Sequence, residues 1–304
     1  MDKNIPWVEK YRPTNFDNIV LDEMNRKILK NIIDFKNFPN LLFYGPPGTG
    51  KTTTIINLVK EFQKSINQEN KGLMIHLNAS DERGVDIIRN QIASFVNTKG
   101  MFSDGIKFII LDEVDYMTKN AQYALKYLIQ SYSKNVRYCL ICNYISRIDE
   151  SLQNEFIRLR FNQLPENDII KFLYQIVREE KLNFTKTTLQ SVRLYFNSDI
   201  RSMINYLQSN QNKNINIITD SLWESVIDKI NNDNIVSTIE YMDSVSKHYN
   251  ANKVNIVKLL FNYIIRNKQV NNETLSFFES IMHNNNIDDK YIFNYIIVKL
   301  KKLL

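Results

Sequence analysis

With 304 residues, 43% of them hydrophobic, the chain has room for two or three domains with substantial cores. Lysine and arginine outnumber aspartate and glutamate by 39 to 33, a formal charge of +6, which suits a nucleic-acid partner as readily as an ordinary basic surface. Two cysteines rule out a Cys₄ zinc module and fit a reducing compartment, and no apolar run is long enough to span a bilayer, so a soluble, intracellular protein with no membrane partner is expected.

Met1-Asp2-Lys3-Asn4-Ile5-Pro6 carries no signal-peptide core. The first strand is expected at 40–44, the short apolar run Asn40-Leu41-Leu42-Phe43-Tyr44. It leads into Gly45-Pro46-Pro47-Gly48-Thr49-Gly50-Lys51-Thr52, which matches the G-x-x-x-x-G-K-[ST] phosphate loop, and then into Thr53-Thr54-Ile55-Ile56-Asn57-Leu58-Val59 at helical spacing. A strand, a glycine-rich turn and a helix N-terminus together form an anion site, because backbone N–H groups can close around phosphates and the helix dipole adds positive potential. Lys51 would reach the β- and γ-phosphates of a nucleotide, and Thr52 would offer its hydroxyl to Mg²⁺.

Further strands are expected at 73–77, 107–111, 136–142 and 157–161. Alternating with helical patterns, they make βαβ units and a parallel sheet over residues 1–162. Cys139 and Cys142 spell C-x-x-C inside the fourth of these strands, where residues three apart face opposite sides, so both read as packing residues. After Pro165 the pattern turns helical: Ile169, Ile170, Phe172, Leu173, Ile176 and Val177 share one face, and 188–196 and 199–209 read as two more helices. A polar linker, Asn210 to Asn214, precedes an all-helical stretch from 219 to 304, striped by Ile256, Leu259, Leu260, Tyr263 and Ile264. The runs Asn231-Asn232-Asp233-Asn234 and Asn284-Asn285-Asn286 separate these stripes and read as loops. The expected fold class is therefore α/β: a P-loop parallel-sheet domain over 1–162, a small helical domain over 163–213 and an all-helical domain over 214–304.

The strand Lys107-Phe108-Ile109-Ile110-Leu111 ends in Asp112-Glu113-Val114-Asp115, which places carboxylates at the C-terminal edge of the sheet, where open α/β sheets bind ligands. There Asp112 would help hold Mg²⁺ and Glu113 would orient and polarise an attacking water. Asn143 ends the next strand, either sensing a γ-phosphate or serving as a turn former. Arg201, after Ser198-Asp199-Ile200, either reaches across to the phosphates or is a solvated helix-surface arginine.

Together these stretches resemble the clamp-loader branch of the AAA+ ATPases, and more narrowly the small subunits of replication factor C. The resemblance is carried by Pro6-Trp7-Val8-Glu9-Lys10-Tyr11-Arg12-Pro13, by Asn78-Ala79-Ser80-Asp81-Glu82-Arg83-Gly84, by Leu111 to Thr118, by Ile141-Cys142-Asn143-Tyr144-Ile145-Ser146, and by Asp199-Ile200-Arg201 running on to Ser209. It is strong over 1–210 and general beyond. It implies ATP and Mg²⁺ as ligands, with Gly45 to Thr53, Asn143 and Arg201 around the phosphates and Val8, Tyr11, Arg12 and Pro13 against adenine and ribose. Lys51, Glu113, Asn143 and Arg201 would carry catalysis. Asn78 would be a switch coupling DNA occupancy to Glu113. Arg83, Arg89 and Arg147 would contact the DNA backbone, contacts that give affinity without sequence reading. The implied partners are other clamp-loader subunits in a hetero-oligomer, expected as a pentamer, together with a sliding clamp facing the region from Met117 to Tyr123 and primer–template DNA. The helical segment from about 219 would be the collar, and the protein would act in the nucleus or wherever DNA is replicated.

Two departures stand out. The family's Ser-Arg-Cys, whose arginine enters the neighbouring subunit's ATP site, is replaced after Leu152-Gln153 by Asn154-Glu155-Phe156, so a carboxylate stands at the finger position. An arginine finger is worth roughly 10³–10⁵ in rate, and Glu155 would repel the transferring phosphoryl group instead. Ala124-Leu125-Lys126-Tyr127 likewise has one basic residue where the family has two arginines. The leading expectation is an ATPase subunit that takes a finger and donates none. The alternatives are a structural or regulatory subunit that binds nucleotide with little turnover, and another AAA+ DNA-remodelling ATPase. The intact Lys51, Thr52, Asp112 and Glu113 favour turnover, and the helical C-terminus does not suggest the winged helix or hairpin of a branch-migration motor.

Overall fold

The computed structural model describes residues 5–79, 85–97, 105–132, 134–211, 220–249, 252–283 and 290–303, with only the backbone of 85–89 and 290. Chain order runs α1 (Trp7–Lys10), α2 (Glu23–Asp34), β1 (Leu41–Tyr44), α3 (Lys51–Ser65), β2 (Met74–Asn78), α4 (Val85–Asn97), β3 (Lys107–Asp112), α5 (Lys119–Ser131), β4 (Val136–Cys142), α6 (Glu150–Gln153), β5 (Ile157–Arg160), α7 (Glu166–Glu179), α8 (Lys186–Phe196) and α9 (Ile200–Ser209). It continues with α10 (Asp220–Asn232), α11 (Ile235–His248), α12 (Lys253–Asn267), α13 (Asn272–Met282) and α14 (Lys290–Leu303). The strands form one parallel sheet in the order β2-β3-β4-β1-β5. This is the α/β P-loop architecture that the alternation of strand and helix patterns implies.

A parallel sheet is covered on both faces at its centre, which is why the inner strands β1, β3 and β4 are largely apolar rather than alternating, whereas the edge strand β5 exposes Ile157, Arg158 and Arg160. Leu41, Leu42 and Phe43 of β1 and Phe108 to Leu111 of β3 are fully buried. Alternate residues enter two different cores. Leu42, Ile109, Leu111, Tyr138, Leu140 and Cys142 pack in one cluster with Ala121, Leu125 and Ile129 of α5. Leu41, Phe43, Phe108, Ile110, Cys139 and Ile141 pack in the other with Leu29 of α2 and Ile55, Leu58 and Phe62 of α3. Cys139 and Cys142 therefore lie on opposite faces as buried packing residues.

The chain divides into two compact units, one of Met1–Asn183 with Phe196–Ser209 and one of Phe184–Tyr195 with Asn210–Leu304. The first holds the sheet together with α7 and α9. In the second, α10 to α14 surround an apolar cluster that includes Trp223, Ile230, Phe261, Ile264 and Phe278, with the Phe261 and Phe278 rings stacked 4.0 Å apart. The asparagine bias has a local cause here. Asn234, Asn252 and Asn271 each sit before a helix in extended backbone, and their side chains accept the first free N–H groups of α11, α12 and α13. Asn284 to Asn286 lie outside the described residues. No helix among the described residues is long and apolar enough to cross a membrane.

Burial pushes the Cys142 thiol up to about 12 and raises that of Cys139 as well. Neither should react with a thiol reagent in the native protein at mildly alkaline pH, and both should react in guanidinium chloride. A native thiol titre measures this, and rapid native labelling of Cys139 would contradict its place in the core.

Candidate nucleotide site

β1, β3 and β4 end side by side, and the loop that leaves β1 curls back over their C-terminal edge. The loop needs glycine for two close approaches. Gly45 has φ +143°, and a Cβ there would fall 1.8 Å from the carbonyl oxygen of Phe161. Gly48 has φ +74°, and a Cβ there would fall 1.8 Å from Oδ1 of Asp199. The second contact seats the loop on the start of α9. The Ile200 N–H donates to the Gly48 carbonyl (3.2 Å), and Asp199 caps α9 by accepting from the N–H (3.0 Å) and hydroxyl (2.7 Å) of Ser202.

Lys51 opens α3, but its buried ammonium turns back into the loop. Nζ donates to the carbonyls of Gly45 (2.7 Å) and Pro46 (2.8 Å) and to Oδ1 of Asn143 (2.9 Å), which uses all three of its hydrogens. Burial lowers its pKa, and the carboxylates of Asp112 and Asp115 work against that shift. Next to it, the Thr52 hydroxyl donates to Oδ2 of Asp112 (2.6 Å), whose other oxygen accepts the Glu113 N–H (2.9 Å). Burial pushes the Asp112 carboxyl up, but His76, with Nε2 3.7 Å away, and Thr52 outweigh it and hold the group below its ordinary value. A hydroxyl and an ionised carboxylate in contact are a donor set for a hard cation, and Mg²⁺ fits Thr52 and Asp112 on that chemistry.

Glu113 adopts the left-handed conformation, φ 57° and ψ 36°. That conformation costs a non-glycine residue about 1–3 kcal/mol, and strain of this kind collects at functional sites. Nothing in the residue spacing marks it.

These groups line one cavity of about 340 Å³, with Val8, Tyr11, Arg12 and Pro13 along one side and Arg201 of α9 along another. The N-terminal segment is tied down around it. The Trp7 N–H donates to Oε1 of Gln208 on α9 (3.0 Å), and Asn57 of α3 donates to the Pro13 carbonyl (2.8 Å). The Tyr11 hydroxyl donates to Oε1 of Glu180 at the end of α7 (2.5 Å), an oxygen that also pairs with Lys10. Burial and this carboxylate raise the Tyr11 pKa and keep its hydroxyl protonated.

Residues given no site role from the sequence also line the cavity: His76, Ile19, Val20, Phe172, Ile200 and Ile204. Phe172 carries a readable signal, since it lies on the apolar face of α7; His76 carries none, because Asn78, of the same parity on β2, lies outside the cavity wall. Ile19 and Val20 follow an irregular stretch and carry none.

Other expected site residues lie elsewhere. Asn78 ends β2 opposite Asp112 in the sheet register, outside the cavity wall. Arg147 is exposed, with its guanidinium 5.0 Å from the Tyr144 ring and 6.0 Å from the Tyr116 ring. Arg83 lies outside the described residues, and for Arg89 only the backbone is described, on α4. Glu155 accepts from Gln130 of α5 (2.8 Å).

The model of the ATPase family associated with various cellular activities (AAA) matches residues 41–164, which run from β1 to just past β5. Replication factor C subunit 3 of Saccharomyces cerevisiae is 35% identical over 287 residues, covering 88% of this chain and 84% of the yeast protein. The chain belongs to the replication factor C small subunits. Replication factor C subunit 5 of Homo sapiens is 41% identical over 207 residues, and the probable replication factor C subunit 5 of Caenorhabditis elegans is 42% identical over 215. Each of these two alignments covers 68% of this chain but only 60% and 58% of the relative. The family match and this membership support an ATPase character for the chain.

Gly48→Ala should lower stability by about 1–3 kcal/mol, the scale of a strained backbone residue, and weaken nucleotide binding by displacing the start of α9. Urea unfolding and an ADP titration measure the two effects; wild-type values for both would contradict the packing described.

Proposed function

We propose that this chain is an ATP-binding and ATP-hydrolysing subunit of a clamp-loader complex, which opens a sliding clamp and loads it onto primer–template DNA. The observation that carries the reading is the convergence of Lys51, Asn143, Thr52, Asp112, Glu113 and Arg201 on one cavity that Val8, Tyr11, Arg12 and Pro13 also line. The base and ribose would lie against Val8, Tyr11, Arg12 and Pro13, with the triphosphate along the loop N–H groups at the start of α3. Mg²⁺ held by Thr52 and Asp112 would supply neutralising charge. Lys51 would exchange one of its acceptors for a phosphate oxygen, and Asn143, already bonded to Lys51, would meet the same γ-phosphate. Glu113, which also lines the cavity, would orient the attacking water. Phosphoryl transfer needs from the protein chiefly this positioning and charge stabilisation.

The remaining positive charge would come from a neighbouring subunit. This chain, with Glu155 hydrogen-bonded to Gln130 at the finger position, would return none. It would then occupy a place in a hetero-oligomer, a pentamer on this reading, whose finger side faces a gap or a silent site. The division into an ATPase domain (1–162), a lid (163–213) and a collar (214–304), the switch role of Asn78, DNA contacts by Arg83, Arg89 and Arg147, the clamp contact near Met117 to Tyr123 and action at the site of DNA replication belong to the same proposal.

Glu113→Gln should keep ATP binding and lose turnover by roughly 10²–10⁴, the range for a positioned base. The assay is ATPase of the chain co-purified with its partner subunits, with and without primed DNA and clamp. Alone, the chain should hydrolyse ATP slowly. Strong DNA-stimulated turnover by the isolated chain would overturn the finger assignment, and unchanged turnover in the complex carrying Glu113→Gln would leave a nucleotide-binding subunit without catalysis.

A further inference from the structure

One buried carboxylate at the site has been described only through its charge near Lys51. Asp115 follows the left-handed Glu113 in a 3₁₀ turn, Val114–Tyr116, and is only 5% exposed. Its Oδ2 accepts the N–H groups of Asn143 and Tyr144, each at 3.2 Å. Its Oδ1 is buried with no hydrogen-bond partner among the described residues. A buried carboxylate left half-satisfied is a poor source of stability, and an apolar side chain of similar volume commonly does as well. Packing therefore gives no reason for a charge here.

Geometry does give one. β4 ends at Cys142, so Asn143 and Tyr144 are the first residues beyond it. Asp115 accepts both of their N–H groups and so fixes the backbone from which the Asn143 side chain reaches Lys51 Nζ, 2.9 Å away. The carboxylate also joins the turn after Glu113 to the end of β4, so the water-orienting residue and the phosphate-sensing residue share one anchor.

We infer that Asp115 is a positioning residue: by holding the Asn143 and Tyr144 amides it aims Asn143 at the γ-phosphate and so sets the preference for nucleoside triphosphate over diphosphate. This rests on the nucleotide-site reading above.

The test is equilibrium binding of ATPγS and of ADP to the full chain. Asp115→Leu keeps the branching at Cγ in a larger side chain and removes the acceptor; it should weaken ATPγS by about tenfold, the size of one lost partner to buried polar groups, with ADP affinity unchanged. Asp115→Asn, which keeps one acceptor oxygen, should stay close to wild type. Adding Asp115→Leu to Asn143→Ala should cause no further loss, because the first acts through the second. The inference is overturned if Asp115→Leu binds ATPγS like wild type, if it loses both nucleotides alike, or if its effect adds to that of Asn143→Ala. Should the leucine variant not fold, amide exchange in the wild-type chain decides: the Asn143 and Tyr144 amides should be protected, and exchange at unprotected rates overturns it. A wild-type chain that binds neither nucleotide would overturn the site reading itself, and this inference with it.

Discussion

The Lys51 ammonium is the group around which the site is arranged. A buried ammonium must have its hydrogens matched, because an unpaired buried charge is costly. Here the three acceptors come from two places, the carbonyls of Gly45 and Pro46 at the end of β1 and the side chain of Asn143 at the end of β4. That requirement links the loop to the neighbouring strand. It also sets the chemistry, since a phosphate oxygen is the ligand best able to replace any one of those acceptors. Burial lowers the pKa of the ammonium, and the nearby carboxylates of Asp112 and Asp115 oppose that shift.

The sheet and the helices meet this requirement through shape. Gly45 and Gly48 let the loop touch the Phe161 carbonyl and the cap of α9, distances that no side chain could share. The loop is thereby wedged between the strand edge and the helix that carries Arg201. The N-terminal segment closes the other side, bonded to α9 through Trp7 and Gln208 and to the end of α7 through Tyr11 and Glu180. A base lying against Val8 and Tyr11 would touch the same segment that holds α7 and α9, so occupancy of the site and the placement of these helices are mechanically joined.

Much of this was legible in the residues. The strands at 41–44, 107–112 and 136–142 declare themselves because the inner strands of a sheet covered on both faces must be largely apolar, and the helix faces of α7 and α9 because amphipathic periodicity is strong there. The phosphate loop, Asp112 and Asn143 are legible because they end strands on one sheet edge. The left-handed backbone of Glu113 was not, since conformational strain leaves no compositional mark on a glutamate. Nor were the anchoring role of Asp115, the approach of His76 to Asp112, or the tie between Tyr11 and Glu180, all of which join residues whose proximity only the fold creates. Of the runs read as loops, Asn231 and Asn232 instead close α10, Asp233 and Asn234 make the break before α11, and Asn284 to Asn286 lie outside the described residues; the helix caps that Asn234, Asn252 and Asn271 provide were not read from the sequence.

The account stands or falls on where a nucleotide sits. The most direct measurement is an experimental structure of the chain, assembled with its partner subunits, in the presence of ATPγS and Mg²⁺. The triphosphate should lie along the loop from Gly45 to Thr52, with Lys51 and Asn143 on the γ-phosphate, the base against Val8 and Tyr11, and no arginine from this chain in the neighbouring site. Clear density for nucleotide in the other subunits, with this cavity empty and Lys51 still bonded to Gly45, Pro46 and Asn143, would contradict it.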